Sequence, residues 1–195
     1  SISAALGMAV ARDLQGTDRK VVAVIGDGSM TGGLAFEGLN NAGASDSDLL
    51  VILNDNRISI DPNVGALHEY LAKVSASGSW NALKGEVWEL FEKLKGVGGG
   101  HLQRLAKRVE DGVKAVLTPG MLFEALGFRY IGPVDGHDVV ELAKHLKKLR
   151  ALGGPILLHT LTVKGKGFAP AEADQVKWHA QSSPFDKLTG KSLAA

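Results

Sequence analysis

Asp27 stands between two glycines at the end of an apolar run, residues 21–25, and Asn54-Asp55-Asn56 closes a second apolar run that begins at residue 49. Glycine lets a backbone approach a ligand closely, and the N–H groups at the start of a following helix suit a phosphate. A carboxylate beside that phosphate calls for a cation between the two. Mg²⁺ fits, because it takes oxygen ligands and joins one or two protein groups to substrate phosphates. Asn56 falls 29 positions after Asp27. If the two runs are neighbouring strands, their polar ends meet at one edge. An Asp carboxylate, an Asn carbonyl oxygen and a backbone carbonyl just beyond then make a hard-cation site. Taken singly, each motif reads as an ordinary strand-end turn; the pair points to the cation.

The surrounding elements must bring these ends together. A first helix is expected over residues 2–14. Residues 21–25, β-branched at nearly every position, read as a strand buried on both faces of a parallel sheet. A helix from about residue 33 to 42 and a strand over 49–54 follow, and loop signals fill 55–66. Helical periodicity returns at 68–74, 80–95 and 102–117, with the glycine run 96–100 dividing the last two. Pro119 sits where the first residue of a helix often does, ahead of residues 120–127. Residues 128–131 read as a third strand, 138–152 as an amphipathic helix that Asp138 is placed to cap, and 155–163 as a fourth strand. The alternation is that of an α/β fold with a doubly wound parallel sheet, in which ligands bind beyond the carboxyl ends of the strands. The expected organisation is a single domain, 1–195, with 75–100 a mobile, insertion-like segment and 164–195 a loop-like tail.

Composition narrows the function classes. With 195 residues, 45% of them hydrophobic, the chain can bury a sizeable core. Lys and Arg number 22 against 21 Asp and Glu, a balance that supports neither nucleic acid nor a membrane surface as partner. The absence of cysteine excludes a disulfide framework and any thiolate ligand or nucleophile, and fits a cytoplasmic protein. No apolar run reaches membrane-spanning length, and residues 1–12 lack the basic leader of a signal peptide.

GDG followed by an Asn-rich strand end resembles the thiamine diphosphate fingerprint of transketolase-like enzymes. The segments GDGSMTGGLAFEGLNNAG, VILNDNRISI, NVGAL, PGMLFEALGFRYIGPVDGHD and VKGKGFAPAEAD, followed by WHA, run in one order over nearly the whole chain. They resemble the 1-deoxy-D-xylulose-5-phosphate synthase family. The resemblance implies a thiamine diphosphate-binding fold in which Asp27, Asn56 and the main-chain carbonyl of Ile58 hold Mg²⁺, while Gly28 and Ser29 touch the diphosphate. Lys164 would reach the same diphosphate, and His179 corresponds to an active-site histidine. Phe168 falls where the family usually has a cofactor-contacting tyrosine, so the aromatic face is kept and the hydroxyl lost. Taken alone, Lys164 reads as readily as a solvated surface lysine and His179 as a loop histidine.

The resemblance further implies a homodimeric transferase of isoprenoid-precursor and thiamine biosynthesis, joining pyruvate to glyceraldehyde 3-phosphate with loss of CO₂. A short cofactor-contacting segment would directly precede Ser1. A pyrimidine-binding domain, whose glutamate activates the cofactor ring, and a third domain would follow. The expectation is therefore a diphosphate-binding domain that is inactive alone. Asp135 and His137 belong to the resemblance without a role that the residues supply. Two other readings stand beside it: a transketolase half-subunit or related family member, and a non-catalytic metabolite-binding module on the same sheet edge. No G-x-x-x-x-G-K-[ST] and no G-x-G-x-x-G is present to favour the common nucleotide sites.

Overall fold

A computed structural model describes residues 1–59, 64–76, 120–180, 184–191 and 193 of the chain. Among these residues four strands form one all-parallel sheet: β1 (Val22–Gly26), β2 (Leu49–Asp55), β3 (Arg129–Asp135) and β4 (Pro155–Leu161), in the order β1-β2-β4-β3. The helices among the described residues are α1 (Ile2–Leu14), α2 (Asp27–Met30), α3 (Gly33–Gly43), α4 (Ala66–Ala76), α5 (Met121–Ala125), α6 (Val139–Leu149) and α7 (Ala169–Ala173). The expected helices at 80–95 and 102–117, Pro119, the glycine run and most of the 75–100 segment lie outside the described residues; Ser75 and Ala76 end α4.

Both faces of the sheet carry a core, as a doubly wound sheet requires. On one face Ala23, Ile25, Val51, Leu53 and Leu157 pack against α1, α3 and Phe123 of α5. On the other, Ile156 and Leu158 pack under Leu142, Leu146 and Leu149 of α6. Ile2, Ala5, Ala9 and Arg12 are the buried positions of α1, spaced as one helical stripe. Asp138 caps α6 as expected, accepting the Glu141 N–H at 2.9 Å, and the charged residues of α6 turn to solvent.

Central and edge strands differ as their neighbours dictate. β4 lies between β2 and β3 and is buried at every interior position, hence the apolar run over 155–158. β1 corrects the expectation of burial on both faces. It is an edge strand, α6 covers the opposite half of the sheet, and Val22 and Val24 remain 49% and 62% exposed. β3 runs four residues further than expected, through Gly132-Pro133, with its register against β4 shifting between Ile131 and Val134. Proline reads as a strand stop because it lacks an N–H, but an edge strand tolerates it.

The end of α3 meets the turn after α5 backbone to backbone. A Cβ on Gly43 would lie 1.7 Å from the Leu126 carbonyl oxygen, and one on Gly127, at φ 92°, would lie 2.3 Å from that of Gly43.

Candidate active site at the carboxyl edge of the sheet

Gly26, the last residue of β1, pairs with Asn54 of β2. Asp27 and Asp55 therefore leave the sheet side by side, with Asn56 one residue on, and neighbouring strands lie only about 4.8 Å apart. Asp27 is 3% exposed. It falls within the short helix α2 rather than in a turn ahead of the next helix. That helix is missed by periodicity because four residues complete barely one turn. Gly28 and exposed Ser29 share its first turn, whose N–H groups have no intrahelical acceptor.

Beyond β2 the chain turns sharply. Asp55 Oδ1 accepts the Arg57 N–H at 3.2 Å and Asn56 Oδ1 accepts the Ile58 N–H at 3.1 Å. Arg57 sits at φ 63°, left-handed backbone that costs a non-glycine residue about 1 kcal/mol or more. The two side-chain bonds hold it there. An amide oxygen has two lone pairs, so Asn56 Oδ1 keeps one for a ligand. The oxygens expected as metal ligands are the Asp27 carboxylate, the Asn56 amide oxygen and the Ile58 main-chain carbonyl. These are hard oxygens that suit Mg²⁺ and leave coordination positions for phosphate oxygens and water. Among the described residues no group of three or more His, Asp or Glu is placed to hold a metal ion, so the donor set is not a histidine-rich zinc cage.

The structure brings two further expected residues to this turn. Lys164 Nζ donates to the Ser59 carbonyl, one residue beyond Ile58, and to His179 Nδ1. A bond accepted at Nδ1 leaves the proton of neutral His179 on Nε2, and the ring is exposed. Phe168 stands apart from these contacts, edge-on to Trp178 at 5.1 Å and 6.4 Å from Phe185. Among the described residues of the tail are α7 and an aromatic cluster of Phe168, Trp178 and Phe185. Asp135 and His137 also acquire a place: Asp135 Oδ1 accepts the His137 N–H, and His137 Nε2 accepts the Val163 N–H, both at 2.8 Å. They fix the exit of β4 one residue before Lys164.

Sequence reasoning missed His159. It is 0% exposed in the middle of β4, with Nε2 3.0 Å from Asp55 Oδ2 and Nδ1 2.7 Å from the Tyr130 hydroxyl. Burial works to raise the Asp55 carboxyl, but the bonds from His159 and Arg57 outweigh it and hold the group below the ordinary carboxylate range. Burial pushes the Tyr130 phenol well up, helped by the nearby Tyr70, Asp55 and Glu124, so it stays protonated. Thr160 Oγ1 and Thr162 Oγ1 tie the same strand end to the Leu53 carbonyl (3.0 Å) and Asn54 Oδ1 (2.8 Å). The available signal was His159 and Thr160, polar residues in a strand that opens apolar, which demand buried partners.

Residues 1–162 match the family described as 1-deoxy-D-xylulose-5-phosphate synthase. The chain belongs to that family. It is 52% identical over 195 residues to the 1-deoxy-D-xylulose-5-phosphate synthase of Chlorobaculum tepidum, covering 100% of this chain and 31% of that protein. It is 54% identical over 192 residues to that of Cytophaga hutchinsonii, covering 98% and 30%. The chain thus spans under a third of the length of these curated relatives. A transketolase from Campylobacter jejuni has a similar fold, at 24% identity and a TM-score of 0.54 over 89% of this chain and 21% of that one. The family match ends one residue past β4 and so contains the whole sheet. Lys164, Phe168 and His179 lie beyond it, within the stretch shared with the Chlorobaculum synthase.

Proposed function

We propose that this chain is the diphosphate-binding domain of a 1-deoxy-D-xylulose-5-phosphate synthase, holding thiamine diphosphate through Mg²⁺. Asp27, Asn56 Oδ1 and the Ile58 carbonyl are the protein's metal ligands. Gly28 and Ser29 present first-turn amides to the diphosphate, and Lys164 brings a positive charge to the same oxygens. By the family resemblance Phe168 would lend an aromatic face to the cofactor and His179 would serve as an active-site histidine. The observation that carries the reading is the pairing of Gly26 with Asn54, which sets the two polar strand ends side by side at the carboxyl edge.

When bound, thiamine diphosphate supplies the nucleophilic carbon that lets pyruvate lose CO₂ and join to glyceraldehyde 3-phosphate. This chain's own residues anchor and orient. By holding Mg²⁺, the Asp27 carboxylate would set a dication between itself and the multiply charged diphosphate, at an edge that otherwise carries acidic groups. His179, with its Nδ1 engaged by Lys164, keeps Nε2 to donate or accept a proton. The intact enzyme, in this reading, is a cytoplasmic homodimer that completes the cofactor pocket with the pyrimidine-binding domain. The isolated chain binds cofactor but forms no product, because the carboxylate that activates the aminopyrimidine belongs to that other domain.

Calorimetric titration of the chain with thiamine diphosphate, with and without Mg²⁺, tests the reading. Binding that requires Mg²⁺ is expected. Binding of ATP or NAD in its place would instead favour a general metabolite-binding module.

A further inference from the structure

His159 has no place in the ligand set, yet its ring is wholly buried beside it. The proton arrangement follows from the partners. A carboxylate only accepts, so His159 Nε2 carries the proton given to Asp55 Oδ2, and Nδ1 accepts from the Tyr130 hydroxyl. Asp55 in turn accepts the Arg57 N–H on its other oxygen. A chain of three hydrogen bonds thus runs from β3 across β4 and β2 into the turn that carries Asn56 and Ile58. Its far end is fixed by packing, since the Tyr130 ring stacks on Phe123 with centroids 5.8 Å apart and planes 3° from parallel. Gly132, at φ 129°, allows β3 this close: a Cβ there would sit 2.4 Å from the His159 carbonyl oxygen.

A carboxylate at the head of a turn rotates unless both oxygens are engaged. With Oδ2 held by His159, Oδ1 faces Arg57 and supports its left-handed backbone. Releasing Oδ2 would let the side chain swing and the turn relax, displacing the Asn56 amide oxygen and the Ile58 carbonyl together. Sequence distance hid the arrangement, because His159 lies 104 residues from Asp55 and 29 from Tyr130.

We propose that His159 is a positioning residue for the metal turn: braced by Tyr130, it orients Asp55, and Asp55 sets the backbone that presents Asn56 and Ile58 to Mg²⁺. This rests on the Mg²⁺–thiamine diphosphate reading above. Partners that orient metal ligands from behind typically command 10- to 100-fold in metal affinity, and an effect of about that size is expected here.

The test uses the full chain, with two readouts. One is Mg²⁺-dependent binding of thiamine diphosphate by calorimetry; the other is amide hydrogen exchange with neither ligand present. His159→Leu should weaken binding about 10- to 100-fold and speed exchange at Arg57 and Ile58, while the β1 amides keep their rates. His159→Gln, whose side-chain amide both donates and accepts, should recover most of both losses. Where His159→Leu fails to fold, Tyr130→Phe carries the test. It keeps the ring on Phe123, drops only the hydroxyl, and should give a smaller loss of the same kind. A lowered melting temperature with unchanged Mg²⁺ dependence and unchanged exchange at the turn overturns the proposal. A wild-type chain that binds no cofactor with Mg²⁺ overturns both readings, whereas binding that the His159 and Tyr130 variants leave untouched overturns this one alone.

Discussion

The two edges of the sheet use polar side chains in opposite ways. At the amino edge they close the structure on itself. Arg12, buried at the end of α1, donates to the Asp48 carbonyl at 2.7 Å and the Arg19 carbonyl at 3.3 Å, just ahead of β2 and β1. Asp13 accepts from Arg12 on one oxygen and from Ser47 on the other. Asp48 Oδ1 accepts the Gly154 N–H ahead of β4 at 2.7 Å. Cations and carboxylates there satisfy the chain's own backbone at three strand starts. At the carboxyl edge the side chains shape a turn and gather oxygen acceptors on it, from Asp27 to Ile58. Lys164 reaches that turn from the loop after β4. The difference teaches where to look in an open parallel sheet: charge that answers main-chain carbonyls is architecture, while oxygens collected beside a cation are a docking place.

The comparison makes separable predictions. Asp27→Ala should have the largest effect, taking Mg²⁺-dependent thiamine diphosphate binding below calorimetric detection while circular dichroism and melting stay native. Retained Mg²⁺-dependent affinity in this variant would sink the metal assignment. Arg12→Met is its mirror image. Leaving buried carbonyls unanswered should cost about 1–3 kcal/mol in denaturant unfolding, with cofactor affinity unchanged; a drop in affinity would show that the edges are not independent. Asn56→Ala should weaken Mg²⁺-dependent binding about tenfold, roughly 1.4 kcal/mol. The loss is smaller than for Asp27 because a neutral ligand is removed, and a reversed order in the two titrations would contradict that ranking.

The smallest effect is a pH dependence at the amino edge. Bonds from Ser47 first and then Arg12 hold the Asp13 carboxyl below its ordinary 3.8. A depressed folded pKa adds stability above the unfolded value and loses it as pH falls through the folded one. Wild type should therefore exceed Asp13→Asn slightly at neutral pH, and the gap should close below about pH 4. A gap that persists in acid would mean that the charge of Asp13 is not its source.

Periodic elements were legible in the sequence, and isolated polar residues were legible only when they came in patterns. α1 matches its expected span of 2–14, and β2 and α6 lie close to theirs, because each is long enough for its period to show. Asp27 and Asn56 were found as a pair because each follows its own strand at the same end. α2 was not, being a single turn, and β3 was cut short because Pro133 interrupts the strand pattern. His159 escaped because nothing near it in sequence betrays Tyr130 or Asp55. The roles of Asp135 and His137 needed the fold for the same reason, since the bond that explains them reaches across to Val163.

The meeting of Gly43 and Gly127 has a consequence for how such a chain can vary. Elsewhere in the core a loss of volume at one position is relieved by a gain at its neighbour. Where two main chains touch, neither partner has anything to shrink, so no compensating pair exists. These two sites cannot drift, singly or together, although neither is part of the carboxyl edge. The placement of Phe123, and of the Tyr130 ring that rests on it, is inherited with them as a fixed dimension.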